Sequence, residues 1–263
     1  MSTLVLRLAG PLQSWGSSAR FARRTTETAP TKSGVIGLLA AALGRERTAD
    51  LSDLASLTFA VRIDQAGTRL RDFQTARHAV TDKAMPVSER FYLADAVFVA
   101  ALAGEDPLIR SLHEALRAPA YLPYLGRRSC PPQGPVDLGT RSGHDAEAVL
   151  RNEAWQAAEW HQERHRWKAF VTLTLLTESV GDGPPGSAVR DQPLSFSPAH
   201  RRYALRHVVS TSVDVPNPHH RPAAGPERES GPVTGPVPVP RHTPEALLTP
   251  LPPQSPLDGH RCS

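Results

Sequence analysis

Apolar positions along this chain recur with two periods, one near 2 and one near 3.6. Thr3–Leu8 (TLVLRL) is aliphatic or β-branched apart from Arg7, which predicts a strand ended by Gly10-Pro11. The loop Leu12–Ala29 is polar and basic, with Trp15 near its start. Ser33–Leu43 is predicted helical, with Thr31 or Ser33 as cap and Gly44 as stop. It is apolar nearly all round and is therefore expected to be buried. Gly34 and Gly37 leave one side bare, where another backbone can approach.

A short amphipathic helix at Asp50–Leu57 leads into a strand at Thr58–Ile63. The polar, Arg-rich stretch Asp64–Arg90 carries a turn signal at Gly67 and predicts a protruding hairpin or long loop. A strand at Asp95–Leu102 follows. Asp106-Pro107 then opens a helix through Arg117, with Ile109, Leu112 and Leu116 on one face. Tyr121–Val136 is a Gly/Pro-rich turn with an Arg pair. Beyond it the pattern predicts a helix over Asp145–Trp160 and strands over Lys168–Thr177 and Tyr203–Val213. No internal repeat is visible.

The order β-α-β-(insertion)-β-α suits an α+β fold, ferredoxin-like, with helices on one face of an antiparallel sheet. The expected organisation is a core over residues 1–136 with an insertion near 64–92. A smaller α/β part over 137–215 would complete the fold, ahead of a Pro-rich segment over 216–263. That last segment holds 13 of the 26 prolines and no aromatic residue. It cannot bury enough surface to offset its ordering entropy and is predicted disordered.

Charge sharpens the picture. The net charge is +4. The Pro-rich segment is neutral, with four arginines and four acids, so the excess sits on the part predicted to fold. Of the 30 basic residues, 27 are Arg and three are Lys (Lys32, Lys83, Lys168). Codon bias gives such a ratio, and so does phosphate recognition, because guanidinium binds phosphate bidentately and stacks on bases. Two cysteines, Cys130 and Cys262, provide neither a disulfide framework nor a zinc knuckle. The first apolar run is too short and wrongly flanked for a signal peptide, and no stretch approaches membrane-spanning length. A cytosolic protein without membrane partners is expected.

The mouth of the first helix, Pro30-Thr31-Lys32-Ser33-Gly34, follows a loop with Arg20, Arg23 and Arg24. Helix N-termini expose unpaired N–H groups and a partial positive charge, so this is either a phosphate site or an ordinary capped core helix. It lacks the Walker spacing. Further arginines (Arg69, Arg71, Arg77; Arg127, Arg128; Arg201, Arg202, Arg206) fall in loops or at element edges. Trp15, Phe21, Phe73, Tyr124 and Tyr203 stand near several of them. Charge for phosphates beside aromatic faces for unstacked bases suits single-stranded nucleic acid; a solvated surface is the alternative. His161 and His165 in HQERH have the i, i+4 spacing of metal ligands, but Gln162 stands where the zincin motif has Glu. No metal or cofactor is expected. For metal-free RNA cleavage His78, Tyr121, Tyr124 and Lys32 can be nominated, although their spacing does not select them.

Five ordered segments, "LRLAGPLQSWG", "PTKSGVIGLLAAALGR", "RFYLADAVFVAAL", "YLGRRSCPP" and "LSFSPAHRRYA", resemble the Cas-five family of the repeat-associated (RAMP) superfamily, found in the type I-E CRISPR Cascade complex. The resemblance spans about Ser2–Val213. It implies a ferredoxin-like, RRM-like core with a protruding β-hairpin thumb, and a non-catalytic subunit in antiviral defence. That subunit would hold the 5′ handle of the CRISPR RNA beside backbone subunits and the large subunit, meeting target DNA only indirectly. Relatives elsewhere in the family cleave RNA, so a metal-independent endoribonuclease acting on repeat RNA is the alternative. By the same resemblance the RNA would lie over Gln13, Ser14, Trp15 and Gly16 and the helix mouth Lys32, Ser33 and Gly34. Gln74, Arg77 and His78 would approach it from the thumb. Gly126, Arg127 and Arg128, with Arg201, Arg202 and Tyr203, would line a groove.

Overall fold

The apolar runs pair side by side. The computed structural model describes residues 1–16, 23–179 and 186–222. In chain order these form β1 (Ser2–Ala9), β2 (Leu12–Gln13), β3 (Arg23–Arg24), α1 (Lys32–Ala42), α2 (Ser52–Ala55), β4 (Thr58–Gln65), β5 (Thr68–Gln74) and β6 (Ser88–Ala94). Then follow β7 (Val97–Gly104), α3 (Asp106–Arg117), β8 (Asp137–Ser142), α4 (Ala146–Asn152), α5 (Glu159–Arg164), β9 (Phe170–Glu178), β10 (Ser187–Ser195) and β11 (Arg202–Pro216). Arg20 and Phe21, and the Pro-rich segment from 223 onward, lie outside the described residues.

The main sheet has seven strands in the order β10-β11-β9-β4-β7-β1-β8, antiparallel at every step. β1 pairs with β7 over its whole length, from Ser2↔Gly104 to Ala9↔Val97. Leu4, Leu6, Leu8, Phe59, Val61, Phe98 and Leu102 pack with α1 and α3 on one face. Helices α1 and α3 thus lie on one side of the sheet, as the pattern predicts. The short α4 adds Ala146, Val149 and Leu150 against Val5, Val99, Ala101 and Ala103 on the other. Central strands covered on both faces explain why VFVAALAG reads as an unbroken apolar run.

α1 begins where expected: Thr31 Oγ1 accepts from Gly34 N at 3.2 Å, and Gly44 follows at φ +73°. α3 has Pro in its first turn and buries Ile109, Leu112 and Leu116. The Arg-rich insertion is a hairpin in which β5 pairs with β6 from Thr68↔Ala94 to Gln74↔Ser88. β2 and β3 pair with the other edge of β6. Asp64 and Gln65, expected in the insertion, are buried at the end of β4.

The single helix expected over Asp145–Trp160 is instead two, α4 and α5, with Glu153 extended at ψ 138°. A buried ion pair outcompetes the helical pattern. Arg62 Nη1 donates to the carbonyls of Leu150 (2.7 Å) and Glu153 (2.6 Å), and Nη2 to that of Ala154 (2.7 Å). Asp64 accepts from Arg62 and from the Gln156 amide at 2.6 Å. The carbonyls that would have continued α4 are thereby taken by the sheet.

Two edge strands, β8 and β10, have no counterpart in the apolar pattern. Edge strands face water on more of their surface and tolerate polar residues and proline, here Pro193. Beyond β11 the chain stays anchored: Asn217 is buried, its amide bonds to Ala169 O at 2.9 Å, and Arg221 N bonds to Arg166 O at 2.8 Å.

Candidate nucleic-acid interface

The mouth of α1 is the first expectation to change. Lys32 is buried, its Nζ 3.0 Å from Glu178 Oε1. Its backbone amide donates to Asp191 Oδ2 at 2.8 Å. Asp191 also accepts from Arg206 Nε (2.6 Å) and Nη2 (2.9 Å). An internal carboxylate therefore satisfies the helix terminus, and the lysine joins β9 to α1 instead of facing solvent. Burial pulls the Lys32 pKa down from its ordinary value, opposed by Glu178. Of the three expected mouth residues, Ser33 and Gly34 are half-buried and border a cavity.

Gln13, Ser14 and Trp15 are likewise tied into the scaffold, and Ser14, Trp15 and Gly16 also border the smaller of two cavities. Gln13 is buried and donates to the carbonyls of Leu8 (2.9 Å) and Ala96 (2.7 Å), while its Oε1 accepts from Trp15 Nε1 at 3.0 Å. Trp15 is fully buried against Gly34, where a Cβ would come 2.8 Å from Trp15 Cε3. The bare glycine thus admits an indole ring. Ser14 Oγ donates to Phe91 O at 3.1 Å and ties this loop to β6. Gly16 stays exposed.

This scaffold seats the second arginine turn. Gly126 has φ +82°, and a Cβ there would lie 1.8 Å from Ser14 O, so only glycine permits the approach. Arg127 follows. Its guanidinium carbon stands 4.7 Å from the Tyr92 ring centroid, and Nη2 donates to Arg24 O at 2.9 Å. Nη1 is buried and has no hydrogen-bond partner among the described residues.

Two adjoining cavities result. The smaller, ≈ 300 Å³, is bounded by Ser33 and Gly34 with Arg24, Arg127 and Arg201. The larger, ≈ 900 Å³, runs along the outer side of α1 past Tyr121, Tyr124, Phe196 and Arg128. They share Ser33, Gly34, Gly126, Arg201 and Tyr203 and so form one continuous groove. Arg45 and Arg47 also line it, with Phe196. Pattern reading missed all three. The helix stop at Gly44 places Arg45 and Arg47 just past the end of α1, but that this end borders the groove is visible only in the packed structure.

The remaining expected residues are not brought into the groove lining. Arg23 lies over the Phe91 ring at 5.4 Å, facing the hairpin sheet. Arg202 is exposed at the start of β11. On the hairpin, Gln74 donates to Asp72 at 2.8 Å and Arg77 pairs with Asp82 at 2.9 Å. His78 Nδ1 accepts from the amides of Val80 and Thr81. These three are exposed together at the hairpin's outer end. The groups nominated for cleavage therefore occupy three places: the hairpin (His78), the groove wall (Tyr121, Tyr124) and a buried ion pair (Lys32). His161 and His165 lie side by side, ring centroids 4.8 Å apart, with His165 Nδ1 2.9 Å from His161 O.

A mainly antiparallel α+β sheet bearing guanidinium groups beside aromatic faces in one groove has the architecture of a single-stranded nucleic-acid binder. Comparison with known proteins agrees in detail. Residues 3–209 match the family described as "CRISPR-associated protein (Cas_Cas5)". The chain is 36% identical over 236 residues to "CRISPR system Cascade subunit CasD" of Escherichia coli (strain K12), covering 81% of this chain and 98% of that protein. A solved structure described as "CRISPR RNA-guided surveillance complex" matches with a TM-score of 0.68 at 34% identity, over 86% of this chain and 95% of that one. Another, "Crystal structure of Cas protein", matches with a TM-score of 0.62 at 35% identity, over 83% and 97%. The chain belongs to this family of CRISPR-associated proteins. No helix among the described residues is long and apolar enough to cross a membrane.

Proposed function

We propose that this chain is the CRISPR RNA-binding subunit of a Cascade surveillance complex and holds the 5′ handle of the guide RNA in the groove beside α1. It acts in the cytosol, in antiviral defence, together with backbone subunits and a large subunit. The observation that carries this reading is the convergence of Arg24, Arg127, Arg128 and Arg201 on one groove in a chain 36% identical to a Cascade subunit. Affinity comes from guanidinium groups on phosphates, and specificity from base edges meeting the loops.

The subunit binds without cutting. Metal-free cleavage needs a base within hydrogen-bond reach of the 2′-OH and a partner for the phosphorane. The separation of His78, Tyr121 and Lys32 supports a holding role. The test is co-expression with neighbouring subunits. The chain should pull down a guide RNA of uniform 5′ end, and incubation of the purified chain with repeat RNA and EDTA should leave that RNA intact. Site-specific cleavage lost on His78→Ala would restore the endoribonuclease reading.

A further inference from the structure

The groove is not uniform, and its two compartments differ in chemistry. The smaller is polar and basic: Arg24, Arg127 and Arg201 line it, and no acidic residue does so among the described residues. The larger is walled mainly by aliphatic and aromatic groups, among them Leu38, Tyr121, Leu122, Phe196 and Tyr203. Tyr121 and Leu122 are 64% and 81% exposed, apolar surface left open to solvent. Phe196 and Tyr203 stand with ring centroids 6.4 Å apart, tilted by 51°. Tyr203 and Arg201 belong to both compartments.

Arg127 gives the smaller compartment its meaning. Its guanidinium is oriented before any ligand arrives, by the Tyr92 face and the Arg24 carbonyl. Yet Nη1 is buried without a partner among the described residues. A buried donor left unpaired is costly and is ordinarily met by some acceptor. An acceptor here sits in a cavity lined by three arginines and, among the described residues, by no carboxylate, which selects an anion with several oxygens. A pre-oriented guanidinium also loses little freedom on binding one.

Building on the function proposed above, we infer that the junction of the two cavities is a subsite for one splayed nucleotide. Its phosphate sits in the smaller cavity on Arg127 Nη1, and its base leaves the strand to lie against Tyr203 and Phe196 in the larger. The cavity sizes suit this division: ≈ 300 Å³ for a phosphate with its first waters, ≈ 900 Å³ for an unstacked base and sugar. A base and its own phosphate are covalently linked, so the shared wall of Arg201 and Tyr203 is the place where such a unit must straddle. Other phosphates along the strand meet exposed, unoriented arginines and contribute evenly; this one does not.

The test uses the full chain and a synthetic RNA copying the 5′ segment of the guide that co-purifies with the assembled complex. A neutral methylphosphonate replaces one linkage at a time. One linkage should lower affinity about tenfold, well beyond its neighbours. Its effect should vanish in Arg127→Ala and persist partly in Arg127→Lys, with thermal melts showing both variants folded. Removing the base beside that linkage should weaken binding to the natural protein but not to Tyr203→Leu. Tight binding with all linkages contributing equally, or a sensitive linkage that stays sensitive in Arg127→Ala, overturns the subsite while leaving the groove as the RNA site. No binding at all overturns both.

Discussion

The Lys32 ammonium lies 3.0 Å from Glu178 Oε1 with only 4% and 13% of the two side chains exposed. Arg206 Nη1 approaches the same oxygen at 3.7 Å. This pair joins the mouth of α1 to the end of β9 and, through Arg206 and Asp191, to β10 and β11. It is architecture beneath the groove, and it separates the residues that build the site from those that use it.

Lys32→Met should therefore act on stability. Removing one partner of a buried pair leaves the other charge poorly compensated, at a cost of about 3 kcal/mol. Denaturant unfolding should show that loss, while RNA affinity measured on the folded fraction stays within about twofold of the natural chain.

Arg127→Ala should do the reverse. The side chain stacks on Tyr92 at 4.7 Å but anchors no core strand, so unfolding should shift by about 1 kcal/mol or less. RNA binding should weaken roughly tenfold or more, the order of one lost charge-assisted hydrogen bond. The double variant Arg127→Ala, Arg128→Ala should also impair assembly with neighbouring subunits, scored by co-purification.

Gly126→Ala couples the two effects. A Cβ would lie 1.8 Å from Ser14 O in a backbone at φ +82°, so the turn must move. The strain alone costs about 1–3 kcal/mol. Both unfolding and RNA binding should suffer, because the displaced turn carries both arginines.

His161 supplies a pH dependence unrelated to RNA. Burial, then the neighbouring His165 and Arg164, holds it below the ordinary imidazole value near 6.5. The unfolded chain thus binds more protons than the folded one in the window just below 6.5, so stability rises with pH across that window. Conversely it falls on acidification from pH 6.5 to the folded value. The ring also packs edge-on against Trp155, with centroids 5.9 Å apart. Melting temperatures taken from pH 5 to 7 should show this slope, and His161→Gln should flatten it.

Particular residues explain what the amino-acid pattern could and could not reveal. The central strands, α1 and α3 were legible because each buries a periodic apolar face; TLVLRL and VFVAALAG allow little else. The edge strands β8 and β10 were not, since DLGTRS and SAVRDQPLS face solvent over much of their length. The split of α4 from α5 was hidden as well. It depends on Arg62 reaching the carbonyl of Leu150, 88 positions along the chain, and local periodicity has no access to such a contact. In the site, exposed arginines in loops were found where loop chemistry pointed. Lys32 and Gln13 looked equally suited to a ligand, but burial commits them to partners inside the fold, and neither borders the groove. Arg45 and Arg47 were missed because their relation to Arg128 and Tyr121 exists only once α1 has packed.

The most direct measurement of the central claim is the salt dependence of RNA binding by the purified full chain. With Arg24, Arg127, Arg128 and Arg201 each meeting one phosphate of a single strand, log K should fall against log salt with a slope near −2.8, about −0.7 per phosphate. Replacing all four by alanine should bring that slope close to zero. A flat response in the natural chain, or an undiminished slope in the fourfold variant, would contradict the claim that this groove carries the strand.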